Sequence, residues 1–504
     1  MTMHPRERAD RDAPAPAFPV STEPGSARKA LDAARRIAGH IVAQGWVTGT
    51  NLGNQGEIMR AYALSRQTMR EALRILQQQD VITTESGKGG GVIVKAPALD
   101  AVTNVIRSHI ELAGMSFSEV FSVYDGLMRV MIDRAIDHMT PARATDLRQA
   151  LTAVPGGRRS RNEQGAAAAA PLWVIARIAH SPCLTSLVAM LYRLVGDFAH
   201  EDMLPADFWT QAMDDTRAII AELVARTCAR DPAAHRSLDR LHSMVAANLA
   251  GLEQRNPRIW NRQSFLSGAY TSTIAGRPSE QKSAVRLAYR IAADVQRRHL
   301  EPGARLGIEV DLARRYDATP AIAAEAVRLL EFTGIVRVRR GRSAGTELIA
   351  PDATMAIDMA SLYLRYYAPD MGQLREVRQT LERLAMRQAA ATLSDRAIGA
   401  VLALCREATA GCDRAALSAA YEQLLGLAGN RVTLLIARVV IGASAPGETS
   451  GEATGPRWDA VSSALDQLDR ALDQAGGEAV APAMQALAHA TGMIVGGDCV
   501  AGLA

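Results

Sequence analysis

The sequence predicts a mainly helical protein made of two tandem units, each a winged helix-turn-helix head followed by an all-helical bundle. Three observations support this. Only 4% of the 504 residues are aromatic while 48% are hydrophobic, a composition typical of helix-rich proteins. Between residues 52 and 94 two amphipathic helical patterns precede two short β-like runs around a glycine-rich tip. From residue 284 the same plan recurs at a constant offset, which indicates a duplicated unit.

These patterns set the predicted boundaries. Residues 1–25 are rich in Pro, Ala, Arg and Asp and show little periodicity, so we expect a disordered tail. The remaining segments are the first head at 26–97, the first bundle at 98–270, the second head at 280–351 and the second bundle at 352–504.

The first head follows a helix, turn, helix and wing order. An entry helix is predicted over Arg28–Val42, a short helix over Glu57–Ala63 and a longer helix over Arg66–Gln78. Ser65 stands directly before the longer helix, where its hydroxyl can cap the first turn. Two short strands, predicted over Val81–Glu85 and Gly91–Val94, flank a basic, flexible tip and form the wing.

The longer helix has one apolar face and one cationic face. Met69, Ala72, Leu73 and Leu76 share the apolar face. Arginines on the first turns of a helix can reach base edges and phosphates, and the amides of a glycine-rich tip add phosphate contacts. The candidate DNA-contacting residues are Ser65, Arg66, Gln67, Thr68, Arg70, Arg74, Lys88, Gly89 and Gly90.

The cationic face of this helix consists of Arg66, Arg70 and Arg74. On a lone helix, three arginines at this spacing more often form a solvated face. Here the turn, the helix and the wing occur together in the right order, which favours DNA binding. Residues 26–97 carry ten Lys/Arg and five Asp/Glu, so the head has a charge of 10 − 5 = +5, against +4 for the whole chain. The positive charge is therefore local to this head.

The first head resembles the winged-helix head of GntR-family transcription regulators, on the residues Glu57, Ser65, Arg66, Thr68, Arg70, Glu71, Ala72, Leu73 and Leu76 and the glycine-rich wing. It is most similar to the FadR type, whose heads carry an all-helical (FCD-like) effector domain. The resemblance implies that Arg66, Thr68 and Arg70 contact a double-stranded DNA operator and that the Gly89 region touches the minor groove. Gly56 departs from the pattern, because such heads often place another DNA-contacting arginine there.

The second head keeps the plan but loses the base-reading groups. Aligning Arg66 with Pro320 gives an offset of 320 − 66 = 254 between the two heads. At this offset, Thr68 and Arg70 of the first head correspond to Ile322 and Ala324 of the second. We therefore expect at most weak, sequence-independent DNA binding by this head. Its wing arginines either hold phosphates or only solubilise a degenerate domain; they are Arg337, Arg339, Arg340 and Arg342.

The bundles show helical periodicity over Ser118–Met139 and Gly372–Ala390. Both stretches resemble the first long helix of the FadR-type effector domain, and Pro171–Leu184 and Ala420–Leu435 look like a later helix of that domain. Between residues 156 and 170 the glycines, charges and alanines indicate a flexible loop or a fraying helix end; the alternative is a basic partner-binding loop.

We predict no metal and no cofactor. Many relatives bind a divalent metal through one carboxylate and three histidines, but the histidine that the resemblance leads us to expect aligns with Leu172 in the first bundle and near Tyr421 or Glu422 in the second. Arg378 occupies the family's arginine position on the long helix. It could bind the carboxylate of a small-molecule effector, or pair with a neighbouring glutamate.

Several classes find no support in the sequence. No P-loop, GxSxG elbow or HExxH pair occurs, so we do not expect an enzyme. Neither a membrane-spanning run nor an apolar signal core is apparent, and five scattered cysteines without a CxxC indicate reduced thiols, so we expect a cytoplasmic protein. The cysteines are Cys183, Cys228, Cys405, Cys412 and Cys499.

The predicted function is sequence-specific DNA-binding transcription regulation, mainly through the first head. The alternative is a non-enzymatic interaction or scaffold protein whose degenerate heads bind protein partners. We also expect a homodimer that presents two first heads, because paired heads read two-fold operators. The apolar faces of the bundles would be its interface, unless they pack against each other within one chain.

Overall fold

We describe the fold from a computed structural model. It describes residues 26–78, 81–85, 87, 90–113, 115–152, 161–196, 206–255, 281–298, 300–332, 335–339, 345–349, 353–392, 395–444, 455–473 and 480–495. The predicted tail at residues 1–25 lies outside them. The chain divides into two compact units, one holding the described residues up to 101 and the other those from 102 onward. None of the helices described is long and apolar enough to cross a membrane.

The first compact unit contains the first head. Its short helix begins at Gln55, two residues earlier than predicted, because Asn54 caps it, and it ends at Ala61. Buried side chains of the entry helix, among them Ile37 and Ile41, pack against the apolar face of the longer helix. The elements are α1 (Ser26–Ala43), α2 (Gln55–Ala61), α3 (Arg66–Gln78), β1 (Ile82–Thr84) and β2 (Val92–Val94), followed by α4 (Leu99–Leu112).

The first bundle is arranged around one long helix, α5 (Phe117–Asp137). Its apolar residues include Val123, Leu127 and Met131, which are fully buried, and it packs against four of the helices that follow it. Those that follow are α6 (Pro141–Thr152), α7 (Arg161–Ile178), α8 (Pro182–Gly196), α9 (Ala206–Cys228) and α10 (Ala234–Arg255).

Of the alternatives for residues 156–170, the structure contains the helix end. Residues 161–170 form the first ten residues of α7, and residues 156–160 lie outside the described residues. The physical reason is the run of five alanines at 166–170, because alanine has the most favourable helix propensity of all residues.

The second head repeats the order of elements found in the first and adds one strand that the sequence did not predict. The added strand, β3, pairs with β5, so the wing becomes a three-stranded antiparallel sheet in the order β3-β5-β4. The elements are α11 (Gln281–Arg297), β3 (Arg305–Gly307), α12 (Glu309–Arg315), α13 (Pro320–Phe332), β4 (Val336–Arg339) and β5 (Gly345–Leu348).

The second bundle is again built on a long helix, α15 (Met371–Thr392), whose Val377, Leu381 and Ala385 are fully buried. It packs against α17, α18 and α20. The remaining helices are α14 (Thr354–Tyr367), α16 (Asp395–Ala410), α17 (Arg414–Gly426), α18 (Arg431–Ser444), α19 (Gly455–Asp473) and α20 (Val480–Val495).

The two long helices pack against each other, so the bundles meet along α5 and α15. Arg134 Nη1 lies 2.6 Å from Glu376 Oε2, and Gln388 Nε2 donates to Ser122 Oγ at 2.8 Å. α5 also contacts α18, and α15 contacts α8. Each long helix therefore packs against several helices of its own bundle and against two helices of the other.

The first turn of α5 is joined to the start of α18 by Glu119 and Arg431. Arg431 donates from its backbone nitrogen and Nε to Glu119 Oε1, both at 3.0 Å, and from Nη2 to Oε2 at 2.9 Å. Burial alone would raise the pKa of Glu119, but hydrogen bonds from the Arg431 side chain, the Ser116 amide and the Arg431 amide outweigh it and lower the pKa to about 2.

This ion pair gives the packing of the bundles a pH dependence. A carboxylate with a folded-state pKa below its ordinary value of 4.5 stabilises the fold above that pH, and its contribution is lost as the pH falls toward about 2. We expect Glu119→Gln to lower the free energy of unfolding at pH 6. At pH 3 the free energies of unfolding of the variant and the wild type should lie closer together. Urea unfolding at both pH values measures this. Glu407→Gln, which changes an exposed carboxylate on α16, is the control and should show little difference at either pH.

Candidate nucleic-acid interface

The recognition helix α3 is held by a side-chain cap at its first turn. Ser65 Oγ accepts a hydrogen bond from the Thr68 amide at 3.1 Å and lies 2.8 Å from Thr68 Oγ1. The Ser65 carbonyl accepts from the Met69 amide at 2.9 Å. The two hydroxyls therefore bond each other as part of the cap, a role the sequence predicted for Ser65 but not for Thr68.

The two faces of α3 are separated as the sequence predicts. Met69, Ala72 and Leu76 are fully buried, and Leu73 is nearly so. On the other side Ser65, Arg66, Gln67 and Arg70 are exposed, while Thr68 and Arg74 are half-buried. Because the apolar face fixes the rotation of the helix about its axis, Arg66 and Arg70 project from the first two turns into solvent.

The turn between α2 and α3 is held in place by α1. Ala63 adopts a left-handed conformation with φ of 51°, which ends α2 and redirects the chain. Arg36 Nη1 donates to the Tyr62 carbonyl at 3.3 Å, and its guanidinium lies 5.7 Å from the centre of the Tyr62 ring. Burial raises the pKa of Tyr62, and Arg36 opposes that effect. Sequence reasoning missed both residues.

The wing is a two-stranded antiparallel ribbon connected to the recognition helix. Gln77 Nε2 at the end of α3 donates to Thr84 Oγ1 on β1 at 2.8 Å. A Cβ on Gly91 would lie 2.8 Å from the Gly53 carbonyl oxygen, so a side chain at this position would displace backbone. Gly90 is half-buried at the described edge of the tip. Lys88 and Gly89, predicted to contact DNA, lie outside the described residues.

The second head reproduces this framework without the arginines. Thr319 Oγ1 accepts from the Ile322 amide at 3.3 Å, as Ser65 does from Thr68. Arg290 Nη1 donates to the Tyr316 carbonyl at 3.0 Å and lies 5.5 Å from the ring centre, as Arg36 does with Tyr62. Burial, followed by the hydrogen bond to Asp294, raises the pKa of Tyr316 to about 12.

The wing of the second head is less available to phosphates than its sequence indicates. Arg339 Nη2 donates to Glu347 Oε1 on the neighbouring strand at 3.1 Å, so a carboxylate already neutralises this guanidinium. Arg337 is exposed. Arg340 and Arg342 lie outside the described residues.

Arg378 is buried in the second bundle, with 1% of its surface exposed. Its Nη1 lies 3.3 Å from Glu382 Oε1, which also accepts from the Tyr421 hydroxyl at 2.8 Å. Burial, followed by the nearby Glu382, raises the pKa of Tyr421 well above its ordinary value. Of the two roles predicted for Arg378, the structure contains the pairing with a neighbouring glutamate. Within the described part of the chain, no three His, Cys, Asp or Glu residues lie close enough together to hold a metal.

Comparison with known proteins identifies the first head. Residues 29–92 match the family model described as bacterial regulatory proteins, gntR family. No curated protein matches the chain.

Two solved structures resemble part of the chain at low similarity. Streptococcus agalactiae GntR is 19% identical, with a TM-score of 0.33, and the match covers 41% of this chain and 97% of that one. A transcriptional regulator, GntR family member, from Pseudomonas syringae pv. tomato str. DC3000 is 16% identical, with a TM-score of 0.18. That match covers 47% of this chain and 91% of the other.

We expect Ser65→Ala to loosen α3 without unfolding the head. The Thr68 amide loses its acceptor, and loss of a helix cap typically costs about 1 kcal/mol. Hydrogen exchange of the full-length protein should show faster exchange in the first turn of α3. Thr319→Ala, which removes the corresponding cap in the second head, is the matched control. Unchanged exchange at Thr68 in the Ser65 variant would contradict the assigned cap.

Proposed function

We propose that this DNA-binding transcription regulator, so identified by its gntR-family domain at residues 29–92, reads double-stranded operator DNA through its first head. The observation that carries the proposal is the exposure of Arg66, Gln67 and Arg70 on a helix whose opposite face is fully buried. Guanidinium and amide groups in that position can form paired hydrogen bonds with base edges in the major groove. The proposed place of action is the cytoplasm.

We further propose that the chain is a tandem duplication of a FadR-type unit. The heads support this through the offset of 254 that relates Arg66 to Pro320. At that offset Ala63 and Asp317 both adopt left-handed conformations, with φ of 51° and 52°, and so do Gly53 and Gly307, with φ of 98° and 111°. The pairs formed by Arg36 with Tyr62 and by Arg290 with Tyr316 are related by the same offset.

The packing of the bundles supports the duplication independently. Ser122 and Glu376 correspond at an offset of 254, and so do Arg134 and Gln388. Ser122 bonds Gln388, and Glu376 bonds Arg134. Moving both residues of the first pair by 254 positions, each to its counterpart in the other bundle, therefore gives the second pair. Such reciprocity is the signature of a two-fold interface, formed here between two parts of one chain.

Near the N-terminal ends of the two long helices, another pair of corresponding residues again bonds the other bundle, but through different chemical groups. Glu119 and Gln373 correspond at the same offset. Glu119 binds the start of α18 through Arg431, and Gln373 Oε1 accepts from Ser181 Oγ at 3.2 Å and from the Cys183 amide at 3.4 Å at the start of α8. The faces expected to join two chains are thus occupied within one, so a homodimer requires another surface. The effector role of Arg378 is not part of this proposal, because Glu382 already pairs with its guanidinium.

The test of operator recognition is the double variant Arg66→Ala, Arg70→Ala. We expect the affinity for an operator selected from random DNA to fall by about 1–3 kcal/mol for each base that an arginine no longer reads. Fluorescence anisotropy with labelled operator measures this. The control removes two exposed arginines of the second head, Arg305→Ala and Arg328→Ala, and should change the affinity much less. Equal reductions in affinity in the two double variants would indicate that total charge, and not the recognition helix, sets the affinity.

Gly56→Arg is expected to strengthen DNA binding, because such heads often carry a DNA-contacting arginine at this position. Gly56 is exposed, and a Cβ there would lie 3.2 Å from Asn54 Oδ1, so the cap must shift by a few tenths of an ångström. If one phosphate contact forms, the plot of log affinity against log salt should steepen by about 0.9. Gly56→Ala, the control for the backbone effect, should leave the slope unchanged. An unaltered slope in the arginine variant would show that this helix end does not reach DNA.

A further inference from the structure

The polar side chains on the first two turns of α3 differ in how free they are to contact a base. Thr68 is half-buried, and its Oγ1 lies 2.8 Å from Ser65 Oγ, which also accepts from the Thr68 amide. One of the two hydroxyl protons is therefore used in the bond that joins them. Gln67 and Arg70, in contrast, are exposed. A hydroxyl of the cap can turn toward DNA only by loosening the first turn, whereas Gln67 and Arg70 can do so with the cap intact.

The buried face of α3 determines where Gln67 points. Gln67 precedes Leu76, which is fully buried, by 76 − 67 = 9 residues, or about two and a half turns of an α-helix. The two side chains therefore project in opposite directions, and Gln67 faces directly away from the interior of the head. When a recognition helix lies in the major groove, its N-terminal residues contact the base edges. In that placement Gln67 is directed at the floor of the groove.

Arg70 lies beside Gln67 on the exposed side of α3. Residues three positions apart are neighbours on the surface of a helix, with Cβ atoms about 5–6 Å apart. Successive base pairs of DNA are about 3.4 Å apart. Two long side chains at this separation therefore reach base pairs that are adjacent or nearly so, and together they read one short stretch of sequence.

The chemistry of the two side chains selects different bases. A glutamine amide presents one acceptor and one donor group side by side, and adenine presents the matching donor, N6, and acceptor, N7, in the major groove. Guanine presents two acceptors there, O6 and N7, so an amide can form only one of the two bonds, whereas a guanidinium supplies both donors. Gln67 is therefore complementary to adenine, and Arg70 is complementary to guanine.

We propose that Gln67 makes the first head specific for an adenine, that Arg70 reads a nearby guanine, and that Thr68, held in the cap, reads no base. The operator half-site then contains an A·T pair close to a G·C pair. The inference rests on the proposed function, because it assigns bases to the helix that the proposed function places on DNA.

Selection of bound DNA from a random pool by the full-length protein tests these assignments. The second head carries Ala321 and Ala324 at the positions of Gln67 and Arg70, at the offset of 254, so a preference that depends on either side chain comes from the first head. We expect the wild type to enrich a motif in which an A·T pair lies close to a G·C pair.

Gln67→Ala tests the adenine contact. The preference for adenine at one position of the motif should fall on the order of ten- to a hundredfold, because a paired base contact is lost, and the preference for guanine should persist. Gln77→Ala is the matched control. Gln77 lies on the same helix, but its amide donates to Thr84 Oγ1 of the wing, so its removal should leave the base preferences unchanged. Circular dichroism establishes that the variants are folded.

Gln67→Arg tests the chemistry of the contact. The preferred base at the same position should change from adenine to guanine, because the guanidinium supplies two donors where the amide supplied a donor and an acceptor. An arginine variant that still prefers adenine would show that another residue reads this base pair.

Thr68→Val tests the claim that Thr68 reads no base. Valine keeps the branched shape of threonine, and Ile322 occupies the corresponding position of the second head, so an apolar branched residue is compatible with this turn. We expect the enriched motif to be the same as that of the wild type. A changed base preference would show that the Thr68 hydroxyl contacts DNA.

The selections separate failure of this inference from failure of the proposed function. A wild type that enriches no motif would overturn both. An enriched motif without an A·T pair, or one that Gln67→Ala leaves unchanged, would overturn the inference alone and leave operator recognition by the first head standing.

Discussion

The apolar stripes of the two long helices must be buried, and much of the larger compact unit depends on how that requirement is met. Val123 and Leu127 on α5, like Val377 and Leu381 on α15, are fully buried. In the structure α5 and α15 pack against each other, and each also contacts a further helix of the other bundle. Hydrophobic burial supplies the main driving force for this arrangement, and the polar pairs at its edge fix the register.

The sequence could predict what local periodicity and caps determine. The bounds of α3, its buried face and the cap at Ser65 all follow from residues within one or two turns of each other. The end of α2 lies two residues before its predicted position, because the left-handed residue that follows is Ala63 and alanine gives no signal of that conformation. The alanine run at 166–170 belongs to α7 and not to the predicted loop, as its own helix propensity favours.

Contacts between distant residues could not be predicted in the same way. Arg36 and Tyr62 are 26 residues apart, and nothing within either segment indicates that they pair. Glu119 and Arg431 are 312 residues apart. The strand β3 is three residues long and exists only because β5 is there to pair with it. One signal in the sequence does point to the pair formed by Arg36 and Tyr62: the same two residue types recur at Arg290 and Tyr316 in the second head.

Covalent linkage of the two bundles changes how their pairing responds to dilution. Two separate chains would dissociate as their concentration fell, whereas two segments of one chain experience an effective concentration that the connecting chain sets. The packing of α5 against α15 is thus independent of how many molecules a cell contains. A regulator built in this way can keep its bundles assembled at a few copies per cell, and only the association of whole chains remains sensitive to abundance.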